Sequence, residues 1–145
     1  MEIGVLAAWV VTATGGVALV ILWFRAGGRT ADVDQPTEAG VRPAATRRSG
    51  ITSALVAPHA TFAVVGLVMW AIATVVDEED QLASARWVAL GLLAIAIGFG
   101  LTLFRRWHAN RDRGPDAAVP SAMVYAHGAF AAATLVGAVV AALAS

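Results

Sequence analysis

The sequence predicts an all-α fold in which four membrane-spanning helices form one bundle, and three observations predict it. The composition is 59% hydrophobic and 14% charged, with a mean hydropathy of +0.72. Soluble domains are nearer 45–50% apolar and about 25% charged. Four separate apolar stretches each reach the length of about 20 residues that a bilayer-spanning helix needs. Two of these stretches also share a short motif, which predicts two tandem helix hairpins in parallel orientation.

The predicted elements follow the apolar stretches. Within one membrane domain, residues 1–145, the helices are expected at residues 3–24, 51–76, 85–104 and 121–144. Backbone polar groups in lipid must bond within their own segment, so each stretch is expected to be helical. The first stretch has no basic n-region and is too long for a cleaved signal peptide, so we expect the mature chain to keep it.

Arginine placement predicts the orientation of the bundle. The chain has ten arginines and no lysine, and nine of the arginines lie in the connections 25–50 and 105–120. Because cytoplasmic loops of membrane proteins are enriched in Arg and Lys, both connections are expected to be cytoplasmic, with the chain termini outside. The expected location is a bacterial inner membrane. The five tryptophans fall near helix ends, where an aromatic belt at the membrane interfaces is expected.

The composition also argues against several functions. A net charge of zero disfavours a nucleic-acid partner, which would require a basic surface. The absence of cysteine excludes disulfides, thiol catalysis, iron–sulfur clusters and c-type haem attachment. No nucleophile, base and orienting group can be assembled within the predicted spans, so we do not expect an enzyme that acts alone. The expected partners are the lipid bilayer and, for a chain this small, further copies of itself or a larger complex.

An internal repeat places two histidines in equivalent positions. Residues 59–63 read HATFA in the second helix, and residues 127–131 read HGAFA in the fourth. A weaker match pairs Trp9 with Trp87 in the preceding helices. Two-helix units of this kind are related by a pseudo-twofold axis along the membrane normal. Both histidines then lie roughly 10–12 Å beyond the inner ends of their helices, and the axis can bring them face to face.

The matched depth of His59 and His127 predicts a cofactor site. Apart from Arg86 at an outer boundary, they are the only strongly polar titratable side chains inside the predicted spans, and an ionisable group at such depth indicates function. Two neutral imidazoles can serve as axial ligands of a metal or of one haem b per chain, and haem suits the apolar surroundings better. Pro58 leaves the carbonyl of Ala54 without its helical donor, so this oxygen is a candidate acceptor for the second ring nitrogen of His59.

The other candidate haem contacts lie at helical spacing from the histidines or at the inner membrane surface. Aromatic residues three positions after each histidine are expected to flank the ring, and arginines are expected to pair with its propionates. This set comprises Phe62, Ala63, Gly66, Met123, Phe130, Ala131, Arg47, Arg48, Arg105 and Arg106.

Other interpretations remain open. Histidines in membrane helices often form interhelical hydrogen bonds, so the pair could belong to a non-redox scaffold or accessory subunit. Met123 lies four residues before His127, and two histidines with a methionine suit copper. His108 is expected among lipid headgroups. Tyr125 could mark a quinone pocket, although packing is the simpler role.

Two segments carry a resemblance to known proteins. The stretch from Val119 to Ala131 and the segment from His59 to Trp70 resemble a group of small four-helix membrane proteins from high-GC bacteria. This resemblance covers about half the chain and implies the four-helix fold without an activity. The paired histidines are distantly similar to bis-histidine membrane b-type cytochromes, which implies electron transfer. Those proteins commonly bind two haems through four histidines, whereas two histidines imply one haem and a further quinone, redox protein or second copy of the chain.

Overall fold

The residues that the structure describes form four long α-helices and one short 3₁₀ helix. The computed structural model describes residues 2–28, 49–75 and 79–144, with the backbone alone for 79–83. The helices are α1 (Glu2–Arg25), α2 (Ser53–Val75), α3 (Glu79–Asn110) and α4 (Ser121–Leu143), and the 3₁₀ helix is Gly114–Ala118. No strand occurs in these described ranges. The prediction of an all-α four-helix bundle is confirmed.

Each α-helix is long and apolar enough to cross a membrane. Within the part of the chain that the structure describes, the four candidate spans have mean hydropathies between 1.8 and 2.3 over their most apolar windows. Most of the residues in these windows lie on the surface of the bundle, which is the pattern of helices that face lipid. The chain therefore has the features of a membrane protein.

The third helix extends beyond its predicted span at both ends. It was expected at 85–104 and runs over Glu79–Asn110. The added residues at its C-terminal end include Arg105 and Arg106, which are exposed. Hydropathy locates the segment that lies in lipid, but helical hydrogen bonding continues into the polar region. The predicted loop 105–120 is correspondingly reduced to residues 111–120. The loop 25–50 lies outside the described residues except at its two ends.

The packing order brings α2 and α4 to opposite corners of the bundle. The closest neighbours are α2 with α3 and α1 with α4, and fewer contacts join α1 to α2 and α3 to α4. The backbones of the diagonal pairs, α1 with α3 and α2 with α4, approach each other little. The tightest interfaces therefore join helices of different repeats. A side chain at the centre of the bundle can reach across from α2 to α4.

Two clusters of buried residues lie at opposite ends of the bundle. One contains Trp9 and Trp70, whose ring centroids are 6.3 Å apart, toward the end that holds Glu2. The other contains Trp23 and Trp107, toward the arginine-rich end where α1 and α3 finish. These four tryptophans are each 1% exposed, so their side chains pack inside the bundle and do not face lipid. Position near a helix end predicts depth in the membrane but not the direction in which the side chain faces.

Candidate bis-histidine site

The imidazoles of His59 and His127 meet inside the bundle between its diagonal helices. Their ring centroids are 6.2 Å apart, and the ring planes are inclined at 75°. Both residues are half-buried. The equal depth that the repeat predicts thus brings the two rings together. The spacing along the sequence predicted that both histidines lie at the same depth. The diagonal placement of α2 and α4 makes their rings face each other.

Each ring is oriented by a backbone carbonyl of a neighbouring helix. His59 Nδ1 lies 2.8 Å from the carbonyl oxygen of Ala96 in α3, and His127 Nδ1 lies 3.0 Å from that of Thr12 in α1. A carbonyl can only accept, so both Nδ1 atoms carry the proton. In a neutral imidazole this leaves the lone pair on Nε2. Within the described part of the chain, neither Nε2 atom forms a hydrogen bond. The acceptor for His59 is therefore Ala96 and not the predicted Ala54.

Two glycines make room for the imidazoles. A Cβ atom built on Gly16 would lie 3.1 Å from Cε1 of His127, and one on Gly100 would lie 3.0 Å from Cε1 of His59. Separations this short would force the rings to move. The glycines therefore let α1 and α3 lie close beside the two imidazoles.

The contacts around the rings repeat with a constant offset. His127 contacts Thr12 and Gly16 of α1. His59 contacts Ala96 and Gly100 of α3, which lie 84 positions after Thr12 and Gly16 respectively. This register replaces the predicted alignment of Trp9 with Trp87. Trp9 is buried, whereas Trp87 is 50% exposed. Residue identity suggested the wrong alignment because a shared tryptophan does not require a shared environment.

The other predicted contacts divide into several groups. Phe62 is half-buried and stacks on Phe99 with ring centroids 6.0 Å apart. Phe130 is 48% exposed on the surface of the bundle. Gly66 is buried away from the ring pair, since a Cβ there would lie 3.0 Å from Cζ2 of Trp9. Three further residues of this set are half-buried: Ala63, Met123 and Ala131.

The arginines and the remaining aromatic residues lie toward the end of the bundle. Arg105 and Arg106 are exposed near the C-terminus of α3, while Arg47 and Arg48 fall outside the described residues. His108 is exposed and stacks on Phe104, in line with an interfacial position. Tyr125 packs edge-on against Phe104 and Trp107 and is half exposed. Its ring contacts agree with the packing role.

A buried carboxylate near the arginine-rich end was not expected from the sequence. Asp116 is 0% exposed, and its two oxygens accept hydrogen bonds from the hydroxyl of Ser49 and the backbone N–H of Gly50. Its backbone carbonyl accepts a hydrogen bond from Nε1 of Trp107. No local pattern distinguishes Asp116 from exposed acids such as Asp112. Its burial arises from loop packing between the two repeats.

The donor set can be tested against the groups proposed for it. Among the described residues there is no group of three or more His, Cys, Asp and Glu side chains that could hold a metal ion. Two imidazoles leave a four-coordinate zinc ion incomplete, whereas haem iron takes only its axial ligands from the protein. A metal bonded at about 2 Å to one nitrogen of each ring holds the ring centres roughly 6 Å apart, since each nitrogen lies about 1 Å from its ring centre. The observed 6.2 Å is close to this value, and it also lies within the roughly 4.5–7 Å of an ordinary edge-to-face contact between two rings.

Comparisons with known proteins give no relatives: no family model matches the chain, and neither a curated protein nor a solved structure shows significant similarity to it.

Proposed function

We propose that the chain is a membrane b-type cytochrome-like protein that binds one haem b between His59 and His127. The observation that carries the proposal is the opposed imidazole pair, with ring centroids 6.2 Å apart and both Nδ1 protons donated to backbone carbonyls. Hydrogen-bonded Nδ1 atoms fix the tautomer and make Nε2 the better ligand. Bound haem would supply a one-electron couple between ferric and ferrous iron.

The chain's own residues would hold and orient the group. His59 and His127 would hold the iron, and Gly16 and Gly100 leave room for their two imidazoles. Arg105 and Arg106 are exposed near the end of α3, so they are candidates for pairing with propionates. Arg47 and Arg48 join them in the proposal on sequence grounds. The apolar bundle would keep water from the iron.

The proposed location is a bacterial inner membrane with the arginine-rich end in the cytoplasm. Nine of ten arginines lie in the two connections at that end, which is the charge bias of cytoplasmic loops. A single haem nearer one surface does not by itself carry electrons across the bilayer. A quinone, a redox protein or a second copy of the chain is therefore part of the proposal.

A visible spectrum tests the proposed function. Protein purified after haem-supplemented expression is expected to be red, with a Soret band that shifts and sharpens on dithionite reduction. The variants His59→Ala and His127→Ala should each lose the low-spin spectrum, because each removes one axial ligand. His108→Ala is the matched control, since His108 is exposed at the end of α3 and should leave the spectrum unchanged. A colourless wild-type protein would refute the proposal.

A structural histidine pair is the second candidate, and the ring hydrogen bonds favour it specifically. The bond from His59 joins α2 to α3, and the bond from His127 joins α4 to α1. Interhelical bonds of this kind contribute about 1 kcal/mol each in membranes. On this account the histidine variants lower stability while the wild type binds no metal. Copper is the third candidate, and elemental analysis with Met123→Leu separates it from haem.

A further inference from the structure

The residues around Asp116 link the two repeats at the arginine-rich end. The hydroxyl of Ser49 donates to Asp116 Oδ1 over 2.5 Å, and the backbone N–H of Gly50 donates to Oδ2 over 2.7 Å. Burial of a carboxylate is costly unless hydrogen bonds replace its contacts with water. The structure provides two such bonds, both from the other repeat. We call Ser49, Gly50 and Asp116 the carboxylate clasp.

Each side of the carboxylate clasp is also fixed to the preceding helix of its own repeat. Trp23 near the end of α1 donates its Nε1 proton to Ser49 Oγ over 3.0 Å. Trp107 near the end of α3 donates its Nε1 proton to the Asp116 carbonyl over 3.3 Å. The Ser49 hydroxyl thereby accepts from the indole while it donates to the carboxylate. Ser49 and Asp116 are thus each hydrogen-bonded to a buried tryptophan.

The position of the clasp connects it to the histidine pair. Ser49 and Gly50 directly precede α2, which carries His59, and Asp116 precedes α4, which carries His127. The backbones of α2 and α4 approach each other little along their lengths, and the clasp joins the segments that lead into these two histidine-bearing helices. At the opposite end the ion pair between Glu2 and Arg86 joins α1 to α3 instead.

We propose that Asp116 is a positioning residue that sets the separation of His59 and His127 by tying together the starts of α2 and α4. The reason for holding the two histidines at this separation rests on the proposed haem function. The spacing itself is a property of the protein without haem. The two ideas can therefore fail independently.

Distance measurements between spin labels test the clasp directly, because the chain has no native cysteine. One labelled pair is Ala60→Cys with Gly128→Cys, which follow the two histidines, are exposed, and have open space around Gly128. The second pair is Ile72→Cys with Val140→Cys, exposed positions of the same two helices near the opposite end. In Asp116→Ala we expect the distance distribution of the 60/128 pair to broaden roughly twofold as the helix starts separate, while the 72/140 pair keeps its distribution.

Matched variants separate positioning from a general loss of stability. Asp112→Ala removes an exposed acid from the same loop and should leave both distributions unchanged. Ser49→Ala removes one of the two clasp bonds and should broaden the 60/128 distribution less than Asp116→Ala does, which gives a milder variant if the latter folds poorly. An unchanged 60/128 distribution in Asp116→Ala, or equal broadening of both pairs, would overturn the proposal.

A second readout connects the clasp to the cofactor. When haem is bound, Asp116→Ala should convert a fraction of the low-spin spectrum to high-spin, and Asp116→Asn, which keeps the size and one acceptor oxygen, should restore part of it. An unaltered low-spin spectrum in Asp116→Ala would contradict the positioning role. If the wild type binds no haem but the label distances still respond, the clasp stands and the proposed haem function fails.

Discussion

The half of the bundle around the histidine pair preserves the internal repeat, whereas the half toward Glu2 does not. Near the histidines, Gly16 corresponds to Gly100, and toward the arginine-rich end Trp23 corresponds to Trp107, each pair separated by 84 residues. Both members of each pair have similar surroundings. The glycines lie against imidazoles, and the tryptophans donate to the loops that precede α2 and α4.

Toward Glu2 the same offsets pair unlike residues. Trp9 corresponds to Leu93 in α3, and Trp70 corresponds to Ala138 in α4, which lies 68 residues later. All four are buried in one cluster, so a large residue on one side is matched by a smaller one on the other. On the proposed function, a site with two equivalent ligands would constrain both copies of the repeat. Packing alone constrains only the total volume of the buried side chains, so the two repeats can carry different residues at equivalent positions in that half.

The largest expected change in stability tests the asymmetric half. Trp9→Ala removes a fully buried ring that packs on Trp70 and Gly66, and it should lower the free energy of unfolding in detergent by about 3–5 kcal/mol. The haem spectrum of the folded fraction should not change, because Trp9 has no contact with either imidazole. Trp87→Ala, at an exposed position, is the control and should have little effect. A loss of low-spin haem in folded Trp9→Ala would remove the distinction between the two halves.

A smaller change in stability with a larger change in binding is expected in the symmetric half. Gly16→Ala and Gly100→Ala place a methyl group 3.0–3.1 Å from an imidazole carbon. Overpacking of this kind costs about 1–3 kcal/mol, and the displaced rings should lose low-spin coordination. Gly98→Ala in α3 is the matched control, since nothing lies within 4 Å of its added methyl group. Equal haem binding in Gly98→Ala and Gly100→Ala would contradict the role given to Gly100.

The smallest expected effect concerns two buried indoles. Within the described residues, Trp70 Nε1 is buried without a hydrogen-bond partner, whereas Trp23 Nε1 donates to Ser49. In Trp70→Phe the lost ring volume is offset by removal of an unsatisfied N–H group, so thermal unfolding should show a change of less than about 1 kcal/mol. Trp23→Phe leaves the Ser49 hydroxyl without its donor and should cost more. A larger loss of stability in Trp70→Phe than in Trp23→Phe would contradict this assignment of hydrogen-bond partners.

Much of the fold could be predicted from the sequence because the bilayer imposes strong constraints. Length and hydropathy located all four helices, since a polypeptide in lipid must form its own hydrogen bonds. The ends of α3 were missed because helical structure continues past the apolar span to Glu79 and Asn110. The sequence also did not predict which face of each helix points into the bundle. Amphipathic periodicity is weak when both the interior and the surroundings are apolar, so the inward direction of the tryptophans had no signal.

The proximity of His59 and His127 was predictable from the sequence, but the contacts that orient their rings were not. A repeated motif at equal depth was enough to pair His59 with His127. The acceptors in Thr12 and Ala96 are backbone carbonyls, which every residue has, so the sequence contains no signal for these contacts. Gly16 and Gly100 could have been found by searching α1 and α3 for glycines at a common offset. Asp116 depends on how two loops pack together, which spacing along the chain does not encode.

Electron paramagnetic resonance of the ferric, haem-supplemented protein tests the central claim most directly. On the proposed function, two imidazoles that hold iron at the observed inclination of 75° would leave two iron d orbitals nearly equal in energy, which would produce a strongly anisotropic low-spin signal. We expect that signal in the wild type, with about one low-spin iron per chain as two axial histidines require. Iron that is only high-spin, or a preparation that contains no iron after haem supplementation, would contradict coordination by the histidine pair.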